Sequence, residues 1–301
     1  MVTKSAGTNV VPARSLAIGL VLSLAVASCS NSTPPIEESD LVDSALFVGA
    51  YQTPLEPVVN PDPVQYASMQ QAIATAVNAC MTEKGFPDFR QPLYEANVAR
   101  PYGVIDPDIA QVWGYQPEGG IGSEGSDEPM PQGETEDPAW EVAYLGTEDS
   151  RTEEVRADDG TVLVRYDPEA CRYPAILGVF PDYPLLTQLQ DQAYEMSRLA
   201  SEEVLASDEF DASFDEWDEC VVAAGGVAAA SHEEAIMREG LTFELTEAEI
   251  AAAVRDATCK QETGFIRTWS LLQAQEEHQR LADSPGLVTE YLELLNANPS
   301  G

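Results

Sequence analysis

The 301-residue chain carries 52 acidic side chains against 15 basic ones, a formal charge of −37, and 44% of its residues are hydrophobic. That length supports one large domain or two small ones with a substantial core, which excludes a miniprotein held by crosslinks alone. A surface this anionic repels phosphate backbones and excludes nucleic-acid binding, and an anionic membrane repels it too unless something covalent holds it there.

Residues 1–28 have the layout of a secretory signal. Lys4 and Arg14 form a positive n-region, and SLAIGLVLSLAVA at 15–27 is an apolar h-region, short for a transmembrane helix. The run ends in Val26-Ala27-Ser28-Cys29, which resembles a bacterial lipoprotein signal box. Small residues precede the cut, and the cysteine becomes the first residue of the mature chain. The resemblance implies a diacylglyceryl thioether on Cys29 and a further acyl group, such as palmitate, on its amine. One acyl chain holds marginally, whereas two or more anchor stably. The segment SNSTPPIEESD at 30–40 is polar and Pro-containing, as a tether should be, and 41–60 reads as irregular or extended. The expected division is a lipoprotein signal peptide over 1–28, a lipidated cysteine and flexible tether over 29–60, and a single mostly helical extracytoplasmic domain over 61–301.

Within that domain, Asp62-Pro63-Val64-Gln65 supplies an N-cap, a proline at the first helical position and a Gln at the third. Tyr66, Met69, Ile73, Val77 and Cys80 then keep the three- and four-residue spacing of an amphipathic helix. Gly85 ends it with a left-handed turn, and Phe86 folds back onto Cys80 or Met81. From Tyr115 to Asp137 the text is rich in Gly, Pro and Glu with almost nothing to bury, so a disordered acidic loop is expected over 115–138. WEVAYLG at 140–146 is a short apolar element, and VRADDGTVLVRY at 155–166 predicts a small hairpin turning at Asp159-Gly160.

The remainder is predicted to be helical. Leu189, Ala193, Met196, Ala200 and Val204 set one apolar stripe. Phe210, Phe214, Trp217 and Val221 set the next, flanked by Asp208, Asp211, Asp215 and Asp218, with a stop at Gly225-Gly226. A short piece is expected over 231–239. Thr246-x-x-Glu249 is a capping box for a helix through Cys259. Phe265, Trp269 and Leu272 lead a long segment toward His278, and Val288, Leu292 and Leu295 mark a last helix. The expected fold class is mainly α: a disulfide-stapled helical bundle with a small β-hairpin and a long disordered acidic loop.

Cys80, Cys171, Cys220 and Cys259 form an even set in what the signal sequence makes an oxidising compartment. Three of them share one phrase, Cys-x4-Gly, at 80–85, 220–225 and 259–264. Four cysteines allow three connectivities. The favoured one is Cys80–Cys171, clasping the N-terminal helix to the body across the acidic loop, with Cys220–Cys259 pinning two neighbouring helices.

Together, the signal box, the helix ending CMTEKGF, the Ala-Cys segment after the acidic loop and DATCKQETGFIRTW in a late helix resemble actinobacterial extracytoplasmic (cell-envelope) lipoproteins. The likeness spans most of the mature chain through degenerate motifs. It implies an envelope location and a paired-cysteine helical body, and it carries no activity.

Catalytic and metal signatures do not assemble. Zinc sites group four Cys or His ligands in close pairs, whereas these cysteines stand dozens of residues apart. SHEEAI at 231–236 opens like a zincin helix, but Ile236 stands where the second histidine belongs. There is no Gly-x-Ser-x-Gly elbow and no Cys-x-x-Cys. His232 and His278 sit in Glu-rich helical contexts and read as surface residues. DEFDASFDEWDE at 208–219 lacks the spacing of a calcium loop and reads as a solvated helical face. No catalytic residue, metal or cofactor is therefore expected. The expected function is a lipid-anchored, non-enzymatic binding or accessory protein on the outer side of the cell membrane. Its partners are the membrane, through the lipid on Cys29, and an envelope protein or cell-wall component. The alternatives are a cell-wall polymer hydrolase using an Asp/Glu pair, recognisable by two facing carboxylates of which one has a raised pKa, and a transporter-associated binding lipoprotein.

Overall fold

A computed structural model of the chain describes residues 36–93, 102–116, 139–229 and 245–297. Cys29, the acidic loop from residue 117 on, and the short piece expected over 231–239 lie outside those residues. The described residues are mainly helical, with one two-stranded antiparallel hairpin.

Helix α1 (Glu56–Val59) is a single turn, and α2 (Pro63–Glu83) is the first long helix. Asp62 caps α2 by accepting from the backbone N–H groups of Val64 and Gln65, each at 2.9 Å. Gln65 does not reach back to complete a capping box. Its amide instead donates to the carbonyl of Leu295 at 3.1 Å, tying α2 to the end of the chain. At the far end Gly85 takes φ +97°, the N–H of Phe86 donates to Met81 O and that of Gly85 to Thr82 O. This is the double bond of a Schellman stop.

Two short helices follow, α3 (Pro107–Trp113) and α4 (Ala139–Leu145), and then the hairpin of β1 (Glu153–Arg156) and β2 (Val162–Tyr166). Its turn is wider than two residues: the Ala157 N–H donates to Thr161 O, and the register shifts between Val155 and Arg156. Helices α5 (Arg172–Val179), α6 (Tyr183–Leu205), α7 (Asp208–Ala223), α8 (Glu247–Thr263), α9 (Phe265–Leu281) and α10 (Leu287–Ala297) complete the body. The Ser207 hydroxyl caps α7 and the Thr246 hydroxyl caps α8. Gly264, with φ +71°, turns α8 directly into α9.

Among the described residues these helices enclose two main cores and a small third cluster of Val104, Ala110, Ala253 and Ala257. The first is largely aliphatic, gathering Val58, Ile73, Val77, Met81, Leu186, Leu189 and Leu295 around Cys171. The second is aromatic, with Phe210, Phe214, Trp217, Phe265 and Trp269 around Cys259. Helix α6 serves both, placing Leu186, Leu189 and Ala193 toward the first and Val204 in the second.

The structure corrects one boundary. The tether does not run to residue 60, because residues 36–60 form a strap laid on the helices. Phe47, Ala50, Tyr51, Leu55 and Val58 are all buried. Loop 42–52 closes on itself through Ser44 N–H to Ala50 O and Gln52 N–H to Val42 O. An irregular strap cannot satisfy all of its own backbone groups, so the remaining acceptors must come from elsewhere. Helix α9 supplies them from Ser270 and Glu277. Ser270 Oγ accepts from Tyr51 N–H at 2.9 Å, and Glu277 Oε2 accepts from Leu55 N–H at 2.9 Å.

Candidate functional site

The strap, α6 and α9 together enclose a pocket of about 320 Å³ between the two cores. The strap contributes Phe47, Thr53, Glu56, Val59 and Asn60, α6 contributes Tyr194, Ser197, Arg198 and Ser201, and α9 contributes Trp269, Gln273 and Glu277. Tyr102 completes the wall.

Two of the lining carboxylates are buried, Glu56 at 5% exposure and Glu277 at 1%. Three donors converge on Glu277: Leu55 N–H at 2.9 Å, the Ser197 hydroxyl at 2.8 Å and the Gln273 amide at 2.9 Å. Glu56 accepts from the Ser44 hydroxyl at 3.0 Å. Burial pushes the Glu56 carboxyl up, the Ser44 and Thr53 hydrogen bonds oppose this, and the nearby charge of Glu277 adds to the rise. Burial also raises the Tyr102 phenol, with Glu277 and then Glu56 adding to the effect. Among the described residues neither glutamate forms an ion pair. The pocket's one lining cation among them, Arg198, is half exposed and held by Glu195 and Glu202.

The aromatic side of the pocket is a corner of perpendicular rings. Phe47 meets Tyr102 edge to face at 5.5 Å, and Tyr102 meets Trp269 likewise at 5.2 Å. Below them, Lys260 Nζ fixes the segment that carries Tyr102. It donates to the carbonyls of Tyr102 and Val104 at 2.9 and 3.1 Å and pairs with Asp256 at 3.0 Å.

Two other concavities are simpler. A groove of about 620 Å³ runs past Cys220, Cys259, Val254 and Arg255. A hollow of about 590 Å³ beside the hairpin holds Arg151, Arg165 and Arg172. There Arg165 pairs with Glu154 at 2.8 Å, and Arg172 lies over the rings of Tyr144 and Tyr173.

Of the residues singled out in sequence, Cys80 is bonded to Cys171 and Cys220 to Cys259, the favoured pairing, with Cα–Cα distances of 5.6 Å in both. Neither bond is brought to the pocket. Asp208, Asp211 and Asp215 are exposed along α7, while Asp218 accepts from the Ala229 N–H at 2.8 Å. His278 is half-buried on α9, and His232 lies outside the described residues. Among the described residues no group of three His, Cys, Asp or Glu side chains is placed to hold a metal, and no helix is long and apolar enough to cross a membrane.

Sequence reasoning missed Glu56, Gln273 and Glu277. Their one legible signal was the polar spacing Ser270, Gln273, Glu277 on the face of α9 that follows Trp269.

Fold and pocket together define a mainly helical, disulfide-stapled protein with a small acidic and aromatic cavity at the junction of its cores. No protein-family model, curated protein or solved structure matches the chain.

Proposed function

We propose that the protein is a lipid-anchored lipoprotein on the extracytoplasmic side of the cell membrane, of the kind seen in the actinobacterial envelope, and that it acts as a non-enzymatic binding or accessory protein. The pocket between strap, α6 and α9 carries the binding part of this reading. It is concave, walled by aromatic rings and lined by a few buried polar groups, the usual make-up of a ligand site. Support for the anchor comes from Val26-Ala27-Ser28-Cys29, and two stapled cysteine pairs suit an oxidising compartment. Val42, Leu46 and Val48 stand exposed on the strap and offer apolar surface to an envelope partner.

Intact-mass spectrometry of the protein isolated from membranes tests the anchor. The expected result is acyl mass on Cys29, lost with release of the protein in Cys29→Ala; an unacylated mature chain refutes it. Crosslinking at the cell surface, with identification of captured proteins, tests the accessory role. Recovery of lipids and random neighbours alone counts against a dedicated partner.

A second reading has one specific observation behind it. Glu56 and Glu277 line the same pocket, and Glu56 has the raised carboxyl that a general acid needs. Against a cell-wall polymer hydrolase, Glu277 is held by three donors at 1% exposure, and a cavity of about 320 Å³ does not admit a polymer chain. Release of wall fragments that Glu56→Gln abolishes would establish the hydrolase. A transporter-type binding lipoprotein needs two lobes of alternating strands and helices. The described residues supply one two-stranded hairpin.

A further inference from the structure

We infer that the pocket between strap, α6 and α9 binds a small organic ammonium ion, held by the Glu56 carboxylate and seated against the ring corner of Phe47, Tyr102 and Trp269. This rests on the reading of the pocket as a ligand site and adds the chemistry of the ligand.

Among the described residues the lining carries two buried carboxylates and no counter-charge for them. Glu56 and Glu277 contribute carboxylates, and no described cation is paired with either. Gln273, at 7% exposure, adds a buried Oε1 that has no hydrogen-bond partner. The amide orientation is fixed by its other end, since Gln273 Nε2 donates to Glu277 Oε1 at 2.9 Å and to Ser197 O at 3.0 Å. Gln273 Oε1 is sealed from solvent, so the call for a cationic donor comes from the two carboxylates that lack a counter-charge. Arg198 cannot fill that role while Glu195 and Glu202 hold its guanidinium at the surface.

The walls narrow the class of donor. An ammonium group has several N–H donors and no acceptor, and it is attracted to aromatic faces. A neutral sugar would leave both carboxylates without a counter-charge. An anion would meet two carboxylates. A hard divalent ion requires six or more oxygen ligands, and the ring corner offers it none. The volume, about 320 Å³, stands at the small end of ligand pockets. The −37 charge of the whole chain draws organic cations toward it.

The test uses the full acylated chain in neutral detergent at low ionic strength. Calorimetric titrations with n-butylammonium, ethylammonium, 1-butanol and butyrate separate charge from shape. The expected result is saturable one-to-one binding of an ammonium probe, with the alcohol and the carboxylate about tenfold weaker or worse. Glu56→Gln should weaken that binding by a similar factor with its melting curve kept, while Arg151→Gln, in the hollow beside the hairpin, leaves it unchanged. Should Glu56→Gln fail to fold, NOEs from the probe's methyl protons to the ring protons of Tyr102 and Trp269 in the wild-type chain decide the seat. Contacts to those rings support the inference, and contacts elsewhere overturn it. If 1-butanol binds as tightly as n-butylammonium, the ammonium assignment falls and the pocket remains a ligand site. If none of the four binds, the inference falls and the binding role passes from the pocket to the outer surface.

Discussion

The two cores solve one problem with different materials. The first is mostly aliphatic and brings together residues from Leu55 to Leu295, almost the whole span of the described chain, with a cystine whose ends are 91 residues apart. The second is aromatic, drawn largely from α7, α8 and α9, with a cystine spanning 39 residues. In the chain-entropy treatment the two bonds contribute about 4–5 and about 4 kcal/mol, so loop length hardly separates them. The surroundings do. In the second core Phe265 touches Phe210, Phe214, Trp217 and Trp269, with ring centroids 5.6 to 6.4 Å apart, and each such ring pair adds to area burial. The first core has a smaller ring cluster, Phe89, Trp140 and Tyr144, and must hold distant segments together, so its crosslink matters more.

That contrast can be broken by experiment. The largest effect is expected from Cys80→Ala with Cys171→Ala, which should lower stability by about 4–5 kcal/mol in denaturant unfolding. Cys220→Ala with Cys259→Ala should cost less, and the reverse order would undo the comparison. Next, Phe265→Ala removes the ring at the centre of the second core and should cost about 4 kcal/mol by the same measurement. Lys260→Met follows at about 3 kcal/mol, because it takes the Lys260 ammonium from the buried Asp256 carboxylate, which keeps its bond from Trp217 Nε1–H. Much of that loss should return when Asp256→Asn is added, and a failure to recover would locate the cost in the Lys260 contacts to the carbonyls of Tyr102 and Val104. The smallest effect concerns Glu56. Its folded pKa lies above the ordinary 4.5, so its contribution to stability is fully present below that value and is lost as pH rises through the raised one. Glu56→Gln should therefore flatten the stability profile on the alkaline side of 4.5 without destabilising the protein at neutral pH. Urea unfolding across that range checks it, and an unchanged slope would assign the profile to other groups.

Much of the helical body was legible because its signals are local. Phe210, Phe214, Trp217 and Val221 bury as their spacing demands, and Asp62 and Thr246 cap the helices they precede. The recurrent Cys-x4-Gly also has a local cause. Gly85, Gly225 and Gly264 all take positive φ, and each ends a helix one turn beyond a bonded cysteine. Two regions were not legible. Residues 41–60 show neither helical nor strand period, so their apolar side chains looked like tether, although Phe47, Tyr51 and Leu55 bind the strap to the helices. Ser270, Gln273 and Glu277 carried no distinguishing mark in the sequence, because a polar stripe reads the same whether water or an irregular backbone covers it. The pocket was hidden for that reason: its acceptors exist to serve the strap, and only the strap's position reveals them.

The strap also sets how tension would enter the molecule. The proposed anchor at Cys29 would pull on the fold from the side of loop 42–52 that comes first in the chain. The strap's grip on α9 includes the hydrogen bonds of Tyr51 to Ser270 and Leu55 to Glu277. Such a pull would reach those two bonds before either cystine, since both cystines lie farther along the chain. The wall of the pocket would thereby lie in the path of any force applied at the start of the strap.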